Sequence, residues 1–216
     1  MNQTTQNPIQ LKSDWKSSLT DNGYILLTGM DVVNTRSILT ELGNIIHENL
    51  VKAALDSRSL TNSYRALDFH TDHHRVDFTC LYCVQQSSTG GESLLVDTSK
   101  FLNEFSLEEK EIMKGILLKE HKVFTDDVET FPLLSNDSGE EEVYYSYWLV
   151  KDNLNQPQIH IIQKLKTKIE NQTPIQFKMR NSDLLIVNNK RMLHARTAIG
   201  INESRILHRF WLQKRR

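Results

Sequence analysis

Short apolar runs alternate along the chain with polar, turn-forming segments, and the spacing of the apolar positions separates strands from helices. "NGYILLTGM" (22–30) is an apolar run bounded by Asn-Gly and predicts a strand. In "NTRSILTELGNIIHENL" (34–50), Ile38, Leu39, Leu42, Ile45, Ile46 and Leu50 recur at helical spacing, which predicts one helix capped by Asn34. Residues 51–67 show no clear period and have a polar second half. "FTCLYCVQQ" (78–86) and "ESLLVD" (92–97), joined by "SSTGG", predict two strands. Ser106 and Glu109 have the spacing of a capping box and announce a helix over 106–120. "EVYYSYWLV" (142–150) has strand propensity, and "PQIHIIQKLKTKIE" (157–170) reads as a helix with Pro157 in its first turn. Residues 183–187, 191–198 and 205–213 predict a strand meander, with Asn188-Asn189 as a turn. Short strands with helices at the flanks predict a mainly β fold, a sandwich or barrel in one domain over 1–216, and not a doubly wound sheet.

Composition narrows the possible partners. Lys and Arg (26) nearly balance Asp and Glu (27), so the chain lacks the basic excess of a protein that reads nucleic-acid phosphates. No apolar run reaches the length of a membrane span. The polar N-terminus has no apolar h-region, which predicts a cytoplasmic protein with Cys80 and Cys83 reduced. These two form a C-x-x-C without the second pair a zinc site needs. Strand positions three apart face opposite sides, so they read as buried, inert thiols.

The candidate chemistry concentrates in "DFHTDHHRVDF" (68–78). On an extended segment, positions i and i+2 point the same way, so His70 and Asp72 can converge on one point. Two histidines and one carboxylate with open positions form the facial triad of non-haem iron(II) oxygenases. An H-x-D by itself is common by chance, and a third ligand must come from elsewhere. His194 lies in a predicted strand. A hairpin centred between 201 and 202 would set it opposite Arg209, with Arg205 and Arg209 on one face and Arg196 beside His194. A guanidinium close to a metal is suited to hold a carboxylate. By the same alternation His74 shares the face of His70 and Asp72 and could line a substrate pocket, whereas His73 points away as a bystander. Arg75 could meet an acidic substrate or a neighbouring carboxylate.

Four blocks in order, "FHTDHH", "TGGESLLVD", "DLLIVNNKRMLHARTA" and "RILHRFWL", resemble the taurine dioxygenase / clavaminate synthase superfamily of Fe(II)- and 2-oxoglutarate-dependent oxygenases. The resemblance implies a double-stranded β-helix (a cupin-like jelly roll). It implies that His70, Asp72 and His194 bind iron, and that Ser93 and Arg205 hold the distal carboxylate of 2-oxoglutarate. Arg209 falls where relatives place an arginine near the substrate's acidic group. The implied reaction is oxidation, foremost hydroxylation, of an unactivated carbon of a small molecule by O2, releasing succinate and CO2. An amino acid or a derivative is the expected substrate, with a sulfonate as the alternative. Asp72 argues against halogenation, since halogenases of this type lack the carboxylate. A non-catalytic jelly-roll binder or a zinc hydrolase would not need the full set with Arg205. Ser182 stands where a glycine often precedes the aspartate and should alter only a turn. The short spacing between Ser93 and His194 predicts a compact site, with 121–141 as the candidate lid.

Overall fold

The computed structural model describes residues 11–54, 57, 59–120, 122–136 and 139–215. In chain order the elements are α1 (Leu11–Asn22), β1 (Tyr24–Leu27), α2 (Val32–Leu42), β2 (Asn44–Lys52), β3 (Leu67–His70), β4 (Phe78–Gln85) and β5 (Ser93–Asp97). Then come α3 (Ser99–Leu102), α4 (Leu107–Lys114), β6 (Leu117–Lys119), β7 (Thr130–Pro132), β8 (Leu134–Ser135), β9 (Glu142–Val143) and a 3-10 turn at Tyr147–Leu149. The chain closes with α5 (Gln156–Glu170), β10 (Ile175–Phe177), β11 (Leu184–Asn188), β12 (Met192–Arg196) and β13 (Ile206–Gln213).

Two antiparallel sheets make the core. One has the order β1-β11-β4-β13-β2 and the other β10-β5-β12-β3. Between them pack Val51, Cys83, Leu95, Leu185, Val187 and Leu207, the inward residues of alternating strands. Trp15, Leu19, Ile38 and Leu39 of α1 and α2 cover the outer face of the larger sheet through Phe78, Cys80, Ile186, Phe210 and Leu212. Helices α4 and α5 cover the smaller sheet, burying Met113, Ile161, Leu165 and Ile169 against Val96 and Leu193. The fold is thus mainly β with flanking helices and a cupin-like double sheet, as expected.

Several elements depart from the sequence reading. The helix expected over 34–50 is two elements. Asp31, not Asn34, caps α2, accepting a bond from the Asn34 N–H at 2.6 Å. The helix stops at Gly43, where a Cβ would lie 2.2 Å from the Gln213 carbonyl oxygen. The following residues pair with β13 as a full edge strand, Glu48 opposite Phe210 and His47 opposite Trp211. That tertiary pairing overrides the helical spacing of Ile45 and Ile46. The helix over 106–120 has the expected capping box but ends at Lys114, before Gly115, and 117–119 form β6. The strand expected over 142–150 shortens to two residues and the 3-10 turn. Helix α1 was not expected.

The predicted meander is overturned too. β12 pairs with β3 and β5, whereas β13 lies in the other sheet between β4 and β2. His194 therefore stands opposite His70 and Leu95, not opposite Arg209. In a double-sheet fold, consecutive strands can cross between layers, which strand patterning alone does not reveal. Ser182 adopts the left-handed conformation (φ 70°) in a turn where its N–H donates to the Cys83 carbonyl at 2.8 Å.

Candidate active site

The strand opposition of His70 and His194 brings their rings to 4.2 Å between centroids. Asp72 lies just beyond the end of β3, and one ligand-type atom from each of the three falls within 4.8 Å of the others. All three sit in the space between the sheets; His70 and Asp72 are buried and His194 is nearly so.

Each donor is oriented by a neighbour. His70 Nδ1–H donates to the Asp68 carbonyl at 2.8 Å, which leaves Nε2 with its lone pair free for a metal. Asp72 Oδ2 accepts from the Thr79 hydroxyl at 2.5 Å, and Oδ1 accepts from Arg209 Nη1 at 3.3 Å. The Asp72 N–H donates to Asn189 Oδ1 at 2.7 Å. Asn189 is itself buried, and its amide reaches the Val76 carbonyl at 3.0 Å, closing the 72–76 loop around one side chain. His194 Nε2 lies 3.7 Å from Asp72 Oδ2, and its Nδ1 is buried without a hydrogen-bond partner.

Burial shapes the protonation states. It lowers the pKa of His70, helped by His194, and lowers that of His194, helped by Arg209. Burial works to raise that of Asp72, but Arg209 and the two imidazoles outweigh it and leave it well below the usual carboxylate value. Two neutral imidazoles and one ionised carboxylate are a complete donor set for iron(II) with open positions. The residues present therefore fit that metal.

A cleft of about 540 Å³, its open mouth included, runs from His70 and His194 past Ser93 and Arg205. Ser93 and Arg205 are buried, and among the described residues no carboxylate lies within 4 Å of the Arg205 guanidinium. Burial, with the neighbouring Arg196, lowers its pKa to about 10. Its Nε donates to Gln86 Oε1 at 3.1 Å, while Gln86 Nε2 is buried without a partner. Gly91 (φ 75°) lets this arginine pass, since a Cβ there would lie 3.0 Å from Arg205 Cδ. A buried cation with a hydroxyl beside it and an orphaned amide donor fits the carboxylate of an oxo acid.

His74 is not in this cleft. β3 ends at His70 and the chain turns after Asp72, with the Val76 N–H bonded to the His73 carbonyl at 2.9 Å, so alternation fails beyond Asp72. His74 stacks on Phe131 at 4.2 Å, and its Nδ1 bonds Glu120. His73, expected to be a bystander, is fully buried, with Nε2 3.1 Å from Asp127 Oδ1 and 3.6 Å from Glu120 Oε1. His73, His74 and Glu120 form a second cluster of ligand-type atoms. The Arg75 N–H donates to His73 Nδ1 at 3.1 Å, so the neutral ring carries its proton on Nε2, facing the carboxylates. Arg75 pairs with Asp126 through two bonds of 2.7 Å, and these contacts fasten the described part of 121–141 to the 72–76 loop. Residues 121, 137 and 138 of that expected lid lie outside the described residues.

Thr79, Asn189, Gln86 and Asn49 are site residues that sequence reasoning missed. None has a motif of its own; each is recognised by which atom it reaches.

Residues 19–211 match the family described as "Taurine catabolism dioxygenase TauD, TfdA family". Among solved structures, asparagine oxygenase (AsnO) superposes with a TM-score of 0.75 at 17% identity, covering 96% of this chain and 79% of that one. The non-heme iron oxygenase OrfP, in complex with Fe and alpha-ketoglutaric acid, gives 0.75 at 12% identity, covering 95% and 80%. Similarity at that identity speaks for the fold, and the match over nearly the whole sequence speaks for the family. The chain belongs to the TauD/TfdA family of dioxygenases, enzymes dependent on iron(II) and 2-oxoglutarate.

Proposed function

We propose that this enzyme hydroxylates an unactivated carbon of a small carboxylate, an amino acid or an amino-acid derivative. His70, Asp72 and His194 would hold iron(II), and Ser93 and Arg205 the distal carboxylate of 2-oxoglutarate. Together with O2 these supply an oxidant able to attack a C–H bond, and the oxo acid leaves as succinate and CO2.

The observation that carries the substrate class is Arg209. It lines the same cleft as His70 and His194. Its Nη1 is engaged with Asp72 and its Nε with Asn49 Oδ1 at 3.1 Å, while its flat face lies 4.5 Å from the Trp211 ring. Nη2 has no hydrogen-bond partner among the described residues. A substrate carboxylate bonded there would sit beside the metal ligand Asp72, with the substrate's nearby carbons toward the iron. Val51, Leu67, Leu81, Leu95, Leu185 and Leu207 make the cleft walls apolar and exclude water from the oxidant. The comparison structures agree in kind: asparagine oxygenase has been solved with 2S,3S-3-hydroxyasparagine and succinate, and OrfP with (3S)-hydroxy-L-Arg.

A sulfonate is the second reading, because a guanidinium takes either anion. Succinate release, measured over a panel of free amino acids and aliphatic sulfonates, decides between them. Release stimulated by an amino acid that gains one oxygen atom supports the proposal. Stimulation by sulfonates alone overturns the substrate class.

A further inference from the structure

Arg196 is buried on β12, two residues after His194, and lines the cleft beside Arg205. Among the described residues no carboxylate lies within 4 Å of it. Burial alone lowers its pKa, to about 10. A buried cation without a counter-charge is costly, so its hydrogen bonds matter. Its Nη1 donates to the Thr61 carbonyl at 2.9 Å, and its Nη2 to the carbonyls of Ser63, at 2.7 Å, and Arg65. The carbonyls between them are taken by the N–H groups of Ala54, on Asn62, and Ile199, on Tyr64, each at 2.8 Å. Of five consecutive carbonyls, three thus rest on one guanidinium.

This strap, 61–65, joins β2 to β3, which carries His70, and has no strand pairing of its own. Thr61 in the strap and Leu67 just beyond it line the cleft, and Leu67 stands opposite Arg196 in register. We propose that Arg196 is a positioning residue: it holds the 61–65 strap as the wall of the cleft next to Ser93 and Arg205. Without it that wall opens, and the oxo acid is retained less well. The planar fork is required because the three acceptors are spread along the chain, and an ammonium at one point cannot serve all of them.

The effect on the oxo acid rests on the proposed function; the hold on the strap does not. The test compares wild type, Arg196→Gln and Arg196→Lys by amide hydrogen exchange and by succinate-release kinetics with varied 2-oxoglutarate. In Arg196→Gln we expect peptides over 60–66 to exchange about tenfold faster while the core strands keep their protection. The 2-oxoglutarate KM should rise about tenfold, with a much smaller change in kcat. Arg196→Lys should fall between the two proteins, and it carries the test if the Gln variant does not fold. Unchanged exchange at 60–66 overturns the hold on the strap. Faster exchange there with unchanged KM overturns its role in the cleft. A wild-type enzyme that releases no succinate in any condition contradicts the proposed function instead, and the exchange data still decide whether Arg196 holds the strap.

Discussion

Asp72 shows how tightly one side chain is specified. Thr79 and Arg209 each take one of its carboxylate oxygens, and Asn189 takes its backbone N–H. Asp72→Ala should abolish succinate release while leaving the fold intact by circular dichroism. Asn189→Ala removes the bonds that close the 72–76 loop. It should cost about 1–3 kcal/mol in denaturant unfolding and weaken iron(II) binding by roughly 10–100-fold. His74→Ala should lower stability without changing the KM for either co-substrate or substrate, because His74 faces Glu120 and Phe131 instead of the cleft. A raised KM would return it to the pocket. At this scale the convergence of His70 and Asp72 was legible in sequence, from the alternation of an extended segment. His74 was misplaced because the same rule was carried two residues past Asp72, where the chain has already turned. Asn189 was read only as a turn residue, since nothing local to it says that its side chain reaches back to position 72.

Among the elements, the capping box of Ser106 with Glu109 and the glycine-rich turn at Gly90-Gly91 were readable. Pairing across the sheets was not. Gly43 illustrates this: it looks like a tolerable break in a helix, yet it ends α2 because β13 passes against its backbone. Gly43→Ala should destabilise the fold by about 1–3 kcal/mol, measured by urea unfolding. Arg191, in the turn before β12, ties β5 to α1. It bonds Asp97 at the end of β5 at 2.6 Å and the carbonyls of Thr20 and Asp21 in α1. Burial works against the charged form of Asp97, but bonds from Arg191 and Ser99 outweigh it and depress its pKa. A depressed carboxylate stabilises the fold above its unfolded pKa of about 3.9 and loses that contribution as pH falls through the lower folded value. Arg191→Ala should therefore lower Tm at neutral pH, with the difference from wild type shrinking in acid. A difference that grows in acid would contradict the pairing.

For the whole molecule, the mainly β class with flanking helices followed from many short strands and three well-marked helical stretches. The order of strands in the two sheets did not, because β12 and β13 are neighbours in sequence but belong to different layers. It is this crossing between layers that places Arg209, from one sheet, over Asp72 and beside His194 of the other. Cys80 and Cys83 lie inside the layers, where burial raises the thiol of Cys83 to about 11 and that of Cys80 further still. Neither should react with a thiol reagent in the native enzyme at neutral pH, and both should react after unfolding in guanidinium chloride.

The most direct measurement is the visible absorption spectrum of the metal-free protein titrated without oxygen, first with iron(II) and then with 2-oxoglutarate. A charge-transfer band that needs both additions, and that Asp72→Ala and Arg205→Ala each abolish or weaken, is the predicted result. Well-folded wild-type protein that shows no band with both additions would contradict the assignment of His70, Asp72, His194 and Arg205.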